Sequence, residues 1–117
     1  MAESTVDLSA LARRSLDELS EICLFARAGL SAIGLAVGGS QFPKLCVELA
    51  KQGLAAARCV PALETCMPVL TDIADGKTPT GDLQDIVNTM EKVCDALVKE
   101  HDRRKIQYYR LRGISDP

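Results

Sequence analysis

The sequence predicts an all-α protein, an antiparallel up-down-up three-helix bundle that forms a single domain over residues 1–117. Apolar side chains recur at helical spacing through three stretches of about thirty residues each. Glycine, proline and small polar residues separate these stretches at residues 38–43 and 75–81. No stretch alternates apolar and polar residues as a half-buried strand would. Connections this short place consecutive helices side by side and antiparallel.

The first helix is expected to begin at Leu8 and to end at Gly38 and Gly39. Glycine takes the left-handed conformation that closes a helix with little strain, so the pair marks a C-terminus. Gly29 and Gly34 lie inside the helix, where each costs about 1 kcal/mol relative to alanine. We expect another helix to approach closely at these two positions. The side chains available to cap the N-terminus are Ser4, Thr5 and Asp7.

The second stretch, residues 43–75, keeps one apolar phase throughout but contains Pro61 and Pro68. An interior proline removes a backbone hydrogen bond and clashes with the preceding turn. The middle helix is therefore expected to be kinked or broken near Pro61 into two roughly continuous pieces. A true corner at that proline would instead give four helices.

The third helix, residues 82–112, changes character along its length. Up to Val98 it carries an apolar stripe that predicts a core-facing helix. Residues 99–105 contain no apolar side chain, and residues 106–112 are apolar, aromatic and basic together. Residues 99–112 hold six basic and two acidic side chains, a net charge of +4, which leaves −6 on the rest of a chain whose total is −2.

The composition predicts an aliphatic core, because 47% of the chain is hydrophobic while only 3% is aromatic. Five cysteines include no Cys-x-x-Cys pair, and the N-terminus has no signal-peptide pattern. The longest uncharged apolar run, residues 28–39, is too short to span a bilayer. We therefore expect a cytoplasmic protein with reduced cysteines and no membrane partner.

No residues form a recognisable catalytic or metal-binding set, so we expect a protein that is not an enzyme and that has no metal or cofactor. The single histidine, His101, lies in a charged run and has no second histidine or nearby cysteine with which to bind zinc. Gly34 and Gly39 are spaced as in a phosphate-binding loop, but Ser40 follows where that loop needs a lysine.

The end of the third helix is the strongest candidate for function, and two interpretations are open. In an up-down-up bundle the ends of the first and third helices meet, so Tyr108 and Leu111 could pack on Val37 and Phe42. Alternatively, the polar run carries the helix end about 10 Å past the bundle. Tyrosine and arginine side chains would then contact another protein.

The second interpretation leads to a non-enzymatic adaptor or inhibitor that binds another protein and self-associates as a homodimer or higher oligomer. Its alternative is a site for a small phosphorylated ligand, a nucleotide or RNA, with arginines on phosphates and tyrosines stacked on bases. The negative charge of the rest of the chain argues against a broad nucleic-acid footprint. The predicted binding residues are Arg103, Arg104, Lys105, Ile106, Tyr108, Tyr109, Arg110, Leu111 and Arg112.

Overall fold

The computed structural model describes residues 6–39, 41–111 and 113, and this part of the chain is all-helical without strands. It contains four α-helices, whereas the preferred prediction has three. Short 3-10 segments at Ser9–Leu11 and Pro61–Cys66 precede the first and third of them. The helices are α1 Leu16–Val37, α2 Pro43–Cys59, α3 Met67–Ala74 and α4 Leu83–Leu111.

Pro61 forms a true corner, so the second stretch gives two helices that lie side by side. The residue before this proline is extended, with φ −122° and ψ 99°, as the proline ring favours. Leu70 of α3 lies against Gly53 in α2. Ile73, one turn later, shares a groove with Cys46 near the start of α2. α3 therefore runs back along α2, and the expectation of two roughly continuous pieces is wrong.

α4 runs antiparallel to α1, because the corner adds one reversal of the chain. Met90 of α4 lies beside Gly29 in the middle of α1. Further along α4, Arg104 reaches the backbone of Leu11 and Arg14, which precede α1. The helices thus run up, down, up and down, and the end of α4 lies at the start of α1 instead of at its end.

α1 begins after Ser15, later than the predicted start at Leu8. The Ser15 hydroxyl accepts a hydrogen bond from the Glu18 N–H at 3.1 Å, and the Glu18 carboxylate accepts one from the Ser15 N–H at 3.1 Å. This reciprocal capping box satisfies two N–H groups at the helix start. Asp7 instead accepts a backbone hydrogen bond at the 3-10 turn. The other two predicted caps, Ser4 and Thr5, lie outside the described residues.

α1 and α2 cross in contact at Gly29 and Gly53. A Cβ added to Gly29 would lie 2.8 Å from the Gly53 Cα, and one added to Gly53 would lie 2.5 Å from the Gly29 Cα. The predicted close approach is therefore confirmed at Gly29. It is wrong at Gly34, where nothing would lie within 4 Å of an added Cβ.

One aliphatic core receives side chains from all four helices and both 3-10 segments. No polar or charged residue is buried among the described residues. This composition confirms the prediction of an aliphatic core. The largest fully buried side chains are Leu11, Leu19, Ile33, Leu63, Leu70, Met90 and Leu97.

α1 is the only described helix whose length and composition would allow it to cross a membrane, with a mean hydropathy of 1.5 over its most apolar window. In the bundle, 33% of that window is buried by the rest of the protein. Core helices of soluble proteins and N-terminal signal sequences pass the same test, so one such helix is weak evidence for membrane insertion.

Candidate functional site

The core-facing part of α4 stops well before the helix does. Its buried side chains all lie at or before Leu97, while the helix continues to Leu111. The second half of α4 therefore owes its position to something other than apolar burial. The buried residues of this helix are Met90, Val93, Cys94 and Leu97.

Arg104 holds the polar run against the N-terminal segment. Its Nη1 donates hydrogen bonds to the backbone carbonyls of Leu11 at 3.0 Å and Arg14 at 3.3 Å. Its Nε donates to the Glu100 carboxylate at 2.7 Å. The side chains of Arg104 and Glu100 are only 18% and 19% exposed. We call this group, Arg104 with Glu100 and the two carbonyls, the Arg104 clamp.

Arg103 approaches the same carboxylate from the solvent side. Its Nε donates to Glu100 at 3.1 Å, and its side chain is 56% exposed. Hydrogen bonds from Arg103 and Arg104 hold the pKa of Glu100 below its ordinary value, although partial burial acts in the opposite direction. Glu100 is therefore ionised at neutral pH and pairs with both arginines as a carboxylate.

Beyond the clamp α4 continues for about two further turns. We call residues 105–111 the α4 tip. Leu111 is 88% exposed, Tyr108 44% and Ile106 43%. None of the residues in the tip is buried. The tip therefore presents large apolar side chains to solvent.

The two tyrosines of the tip pack on one another. The rings of Tyr108 and Tyr109 meet edge to face with centroids 5.7 Å apart. The Lys105 ammonium lies 6.0 Å from the centroid of the Tyr109 ring, at the limit of a cation–π contact. These local contacts favour an ordered arrangement of aromatic and basic groups.

The expectation that Tyr108 and Leu111 pack on Val37 and Phe42 is wrong. Both residues lie near the α1–α2 connection, whereas the tip lies beside the N-terminal segment at the other end of α1. Val37 is 57% exposed and Phe42 65% exposed. The interpretation depended on a parallel arrangement of the first and last helices, which the corner at Pro61 removes.

The predicted binding residues fall into three groups. Arg103 and Arg104 bind Glu100, and Arg104 belongs to the clamp. Arg112 lies outside the residues whose side chains the structure describes. The residues that lie together on the tip are Lys105, Ile106, Tyr108, Tyr109, Arg110 and Leu111.

Sequence reasoning missed the role of Glu100. Its spacing of three and four residues from Arg103 and Arg104 is a recognisable signal for ion pairs on one helix face. The carbonyls of Leu11 and Arg14 carry no such signal, because backbone acceptors are present at every residue. Only the tertiary fold shows that Arg104 reaches them.

In the described part of the chain, the contact of His101 is with Asp102 and not with a cysteine. Burial raises the pKa of the Cys94 thiol to about 11 and also raises the pKa values of Cys23 and Cys66. His101 Nδ1 lies 3.5 Å from the Asp102 carboxylate. Among the described residues no cluster of histidine, cysteine or carboxylate side chains could hold a metal ion.

A second apolar surface lies at the opposite end of the bundle from the tip. We call Val37, Phe42 and Leu45 the end patch; they are 57%, 65% and 48% exposed. Lys44 and Glu48 line a shallow groove beside them. The end patch is therefore apolar, and charged side chains of both signs lie beside it.

Comparison of the chain with protein-family models, curated proteins and solved structures gives no match.

Proposed function

We propose that this chain is a non-enzymatic helical protein that binds another protein through the α4 tip, as an adaptor or an inhibitor does. The observation that carries the proposal is the exposure of Tyr108 and Leu111, at 44% and 88%, on the face of α4 that is buried upstream. Large apolar side chains in such a position gain free energy when another surface covers them.

The spacing of residues along α4 shows that these side chains share the core-facing side of the helix. Steps of four and three residues lead from Leu97 through His101 and Arg104 to Tyr108 and Leu111. Leu97 is buried, His101 and Arg104 are intermediate, and the last two are exposed. The stripe therefore extends past the bundle that covers its first part. Burying one such side chain contributes about 1.5–3 kcal/mol.

The arginine contacts support protein docking over the alternative of a phosphorylated ligand, nucleotide or RNA. Arg103 and Arg104 already donate to Glu100, and Arg104 also donates to two carbonyls. An incoming phosphate would have to displace the Glu100 carboxylate and the two carbonyls from the arginines. If the carboxylate stayed in place, the phosphate would bind beside another negative charge. The arginines of that alternative are Arg103, Arg104, Arg110 and Arg112. Among those whose side chains the structure describes, only Arg110 lies outside this network.

Changing Tyr108 and Leu111 together to alanine should abolish capture of a partner without unfolding the chain. Both side chains are exposed, so we expect the thermal unfolding midpoint to stay within a few degrees. The measurement compares proteins retained from a host-cell extract by immobilised wild type and variant, quantified by mass spectrometry. Leu24→Ala is the control, because Leu24 is 67% exposed on α1, outside the tip.

Equal retention of the same proteins by wild type and by both variants would contradict docking at the tip. Unfolding of the Tyr108→Ala/Leu111→Ala variant would show instead that these residues stabilise the fold of the chain.

We also propose that the chain self-associates through the end patch. A two-fold interface brings the same surface of two copies together, so it favours patches that are complementary to themselves. Lys44 and Glu48 lie one turn apart beside the apolar residues. Across a two-fold axis, Lys44 of one copy could face Glu48 of the other. The tip is less suited to this role, because its two charged side chains are both positive.

Changing Phe42 and Leu45 to alanine should convert an oligomer to a monomer. Removal of two exposed apolar side chains weakens a contact that depends on their burial, while the core is unaffected. Sedimentation equilibrium should give a mass above 12.6 kDa for the wild type and 12.6 kDa for the variant. A wild-type mass of 12.6 kDa at every concentration would rule out self-association.

A further inference from the structure

The α4 tip carries positive charge that no carboxylate of the described chain neutralises. Its ionised side chains are Lys105 and Arg110, and neither forms an ion pair in the part of the chain that the structure describes. Of the nearby carboxylates, Glu100 already accepts from Arg103 and Arg104, and Asp102 lies 3.5 Å from His101 Nδ1. A partner that covers one of these cations must therefore bring its own carboxylate or leave that cation partly desolvated.

The two cations lie on different sides of α4. Lys105 precedes Tyr108 by three residues and flanks the surface of Tyr108 and Leu111, whereas Arg110 follows Ile106 by four residues and lies with it on the opposite side of the helix. Leu111 extends the surface that begins at Tyr108. A complementary partner needs apolar side chains for this surface and acidic side chains along its Lys105 edge.

Before the tip, the side of α4 that carries Tyr108 and Leu111 is covered by a helix. There α1 lies antiparallel along α4, with Gly29 beside Met90. α1 starts at Leu16 and the Arg104 clamp lies at the residues before it, so α1 does not cover the tip. A helix that lies along the tip would continue the packing of α1 on α4.

We infer that the α4 tip binds an acidic amphipathic helix of a different protein, whose apolar face covers Tyr108 and Leu111 and whose carboxylates pair with Lys105. The inference rests on the proposed docking function and adds the chemistry of the partner. Pairing of two tips from two copies is opposed, because it brings the same cations together.

The test measures binding of labelled peptides to the full chain by fluorescence anisotropy. Three helical peptides share one length and the same leucine positions, and they carry glutamate, glutamine or lysine at all flanking positions. The glutamate peptide should bind on the order of tenfold more tightly than the glutamine peptide at low ionic strength, and the lysine peptide most weakly. The advantage of glutamate should shrink with added salt.

Three variants separate the charge from the apolar surface. Lys105→Glu should reverse the order of the glutamate and lysine peptides, whereas Arg110→Glu, on the opposite side of α4, is the matched control and should leave that order unchanged. Tyr108→Ala/Leu111→Ala should weaken binding of all three. Equal binding of the three peptides by the wild type, lost in the alanine variant, would overturn the acidic partner but leave docking at the tip intact. Failure of the wild type to bind any peptide, or binding unchanged in the alanine variant, would overturn both.

Two further measurements exclude other occupants. A short labelled RNA that binds the wild type and the alanine variant equally, but not the Lys105→Glu variant, would make the tip a nucleic-acid site and overturn the inference. An oligomeric mass that is lost on changing Tyr108 and Leu111, and kept on changing Phe42 and Leu45, would make a second copy the occupant and overturn it as well.

Discussion

Replacing Gly53 with alanine should lower the free energy of unfolding by about 2–3 kcal/mol. The new methyl group would lie 2.5 Å from the Gly29 Cα and 3.2 Å from a methyl group of Leu70. The first of these atoms belongs to a helix backbone, which cannot move aside without separating α1 from α2. Alanine favours a helix by about 1 kcal/mol over glycine. We expect the steric cost to exceed this gain.

Alanine substitutions at Gly29 and Gly34 serve as controls, because an added methyl group would be less crowded at Gly29 and uncrowded at Gly34. In Gly29→Ala the methyl group would lie 2.8 Å from the Gly53 Cα and 3.0 Å from the end of the flexible Met90 side chain. This variant should lose somewhat less stability than Gly53→Ala. Gly34→Ala meets nothing within 4 Å, so the helix preference of alanine should stabilise the protein by up to about 1 kcal/mol.

Urea denaturation of the three variants measures these differences. The free energy of unfolding should fall in Gly53→Ala and Gly29→Ala and rise in Gly34→Ala. If Gly53→Ala were as stable as Gly34→Ala, α1 and α2 would not cross at the distance described. Because Leu70 also packs at this crossing, Gly53→Ala should loosen α3, which faster amide hydrogen exchange in α3 would show.

The sequence predicts the helical class and the aliphatic core well, because both depend on periodicity and composition. It also predicts the break near Pro61, since the effect of proline on a helix is local. The direction in which the chain leaves the break is a different matter. The packing of Leu70 against Gly53 determines the direction of α3. These residues are seventeen positions apart, so the periodicity of the sequence does not indicate their contact.

That single difference determines where the candidate site lies. With α3 reversed, α4 starts at the other end of the bundle, and its tip lies beside the N-terminal segment. The tip residues themselves were predictable, because a charged run followed by apolar, aromatic and basic residues is visible in the sequence. The partners of Arg104 were not, because Leu11 and Arg14 contribute backbone carbonyls and not side chains.

Replacing Arg104 with alanine should lower the free energy of unfolding by about 1–2 kcal/mol. The change removes the donor to the carbonyls of Leu11 and Arg14 and one of the two arginines on Glu100. The Arg104 side chain is 18% exposed, so water replaces these contacts only in part. Arg103→Ala is the matched control: Arg103 binds the same carboxylate, but its side chain is 56% exposed. That variant should lose clearly less stability than Arg104→Ala, because solvent screens an exposed ion pair.

The pH dependence of stability gives a second measurement of the clamp. The pKa of Glu100 in the folded protein lies below its ordinary value of 4.5, so the unfolded chain binds the proton more readily. The stabilisation is therefore present above about pH 4.5 and is lost as the pH falls through the lower, folded-state pKa. Glu100→Gln should remove this part of the acid dependence. An unchanged acid profile in that variant would contradict the clamp.

The clamp also connects stability to the proposed function, because it holds α4 against the N-terminal segment directly before the tip. A ligand-binding surface held in its bound orientation loses less conformational entropy when it binds. Arg104→Ala should therefore weaken binding of the glutamate peptide although Arg104 lies outside the tip, and Arg103→Ala should have a smaller effect. Amide hydrogen exchange should accelerate at residues 105–111 in the Arg104 variant. Equal peptide binding by both arginine variants would mean that the tip keeps its orientation without the clamp, through helix propensity alone.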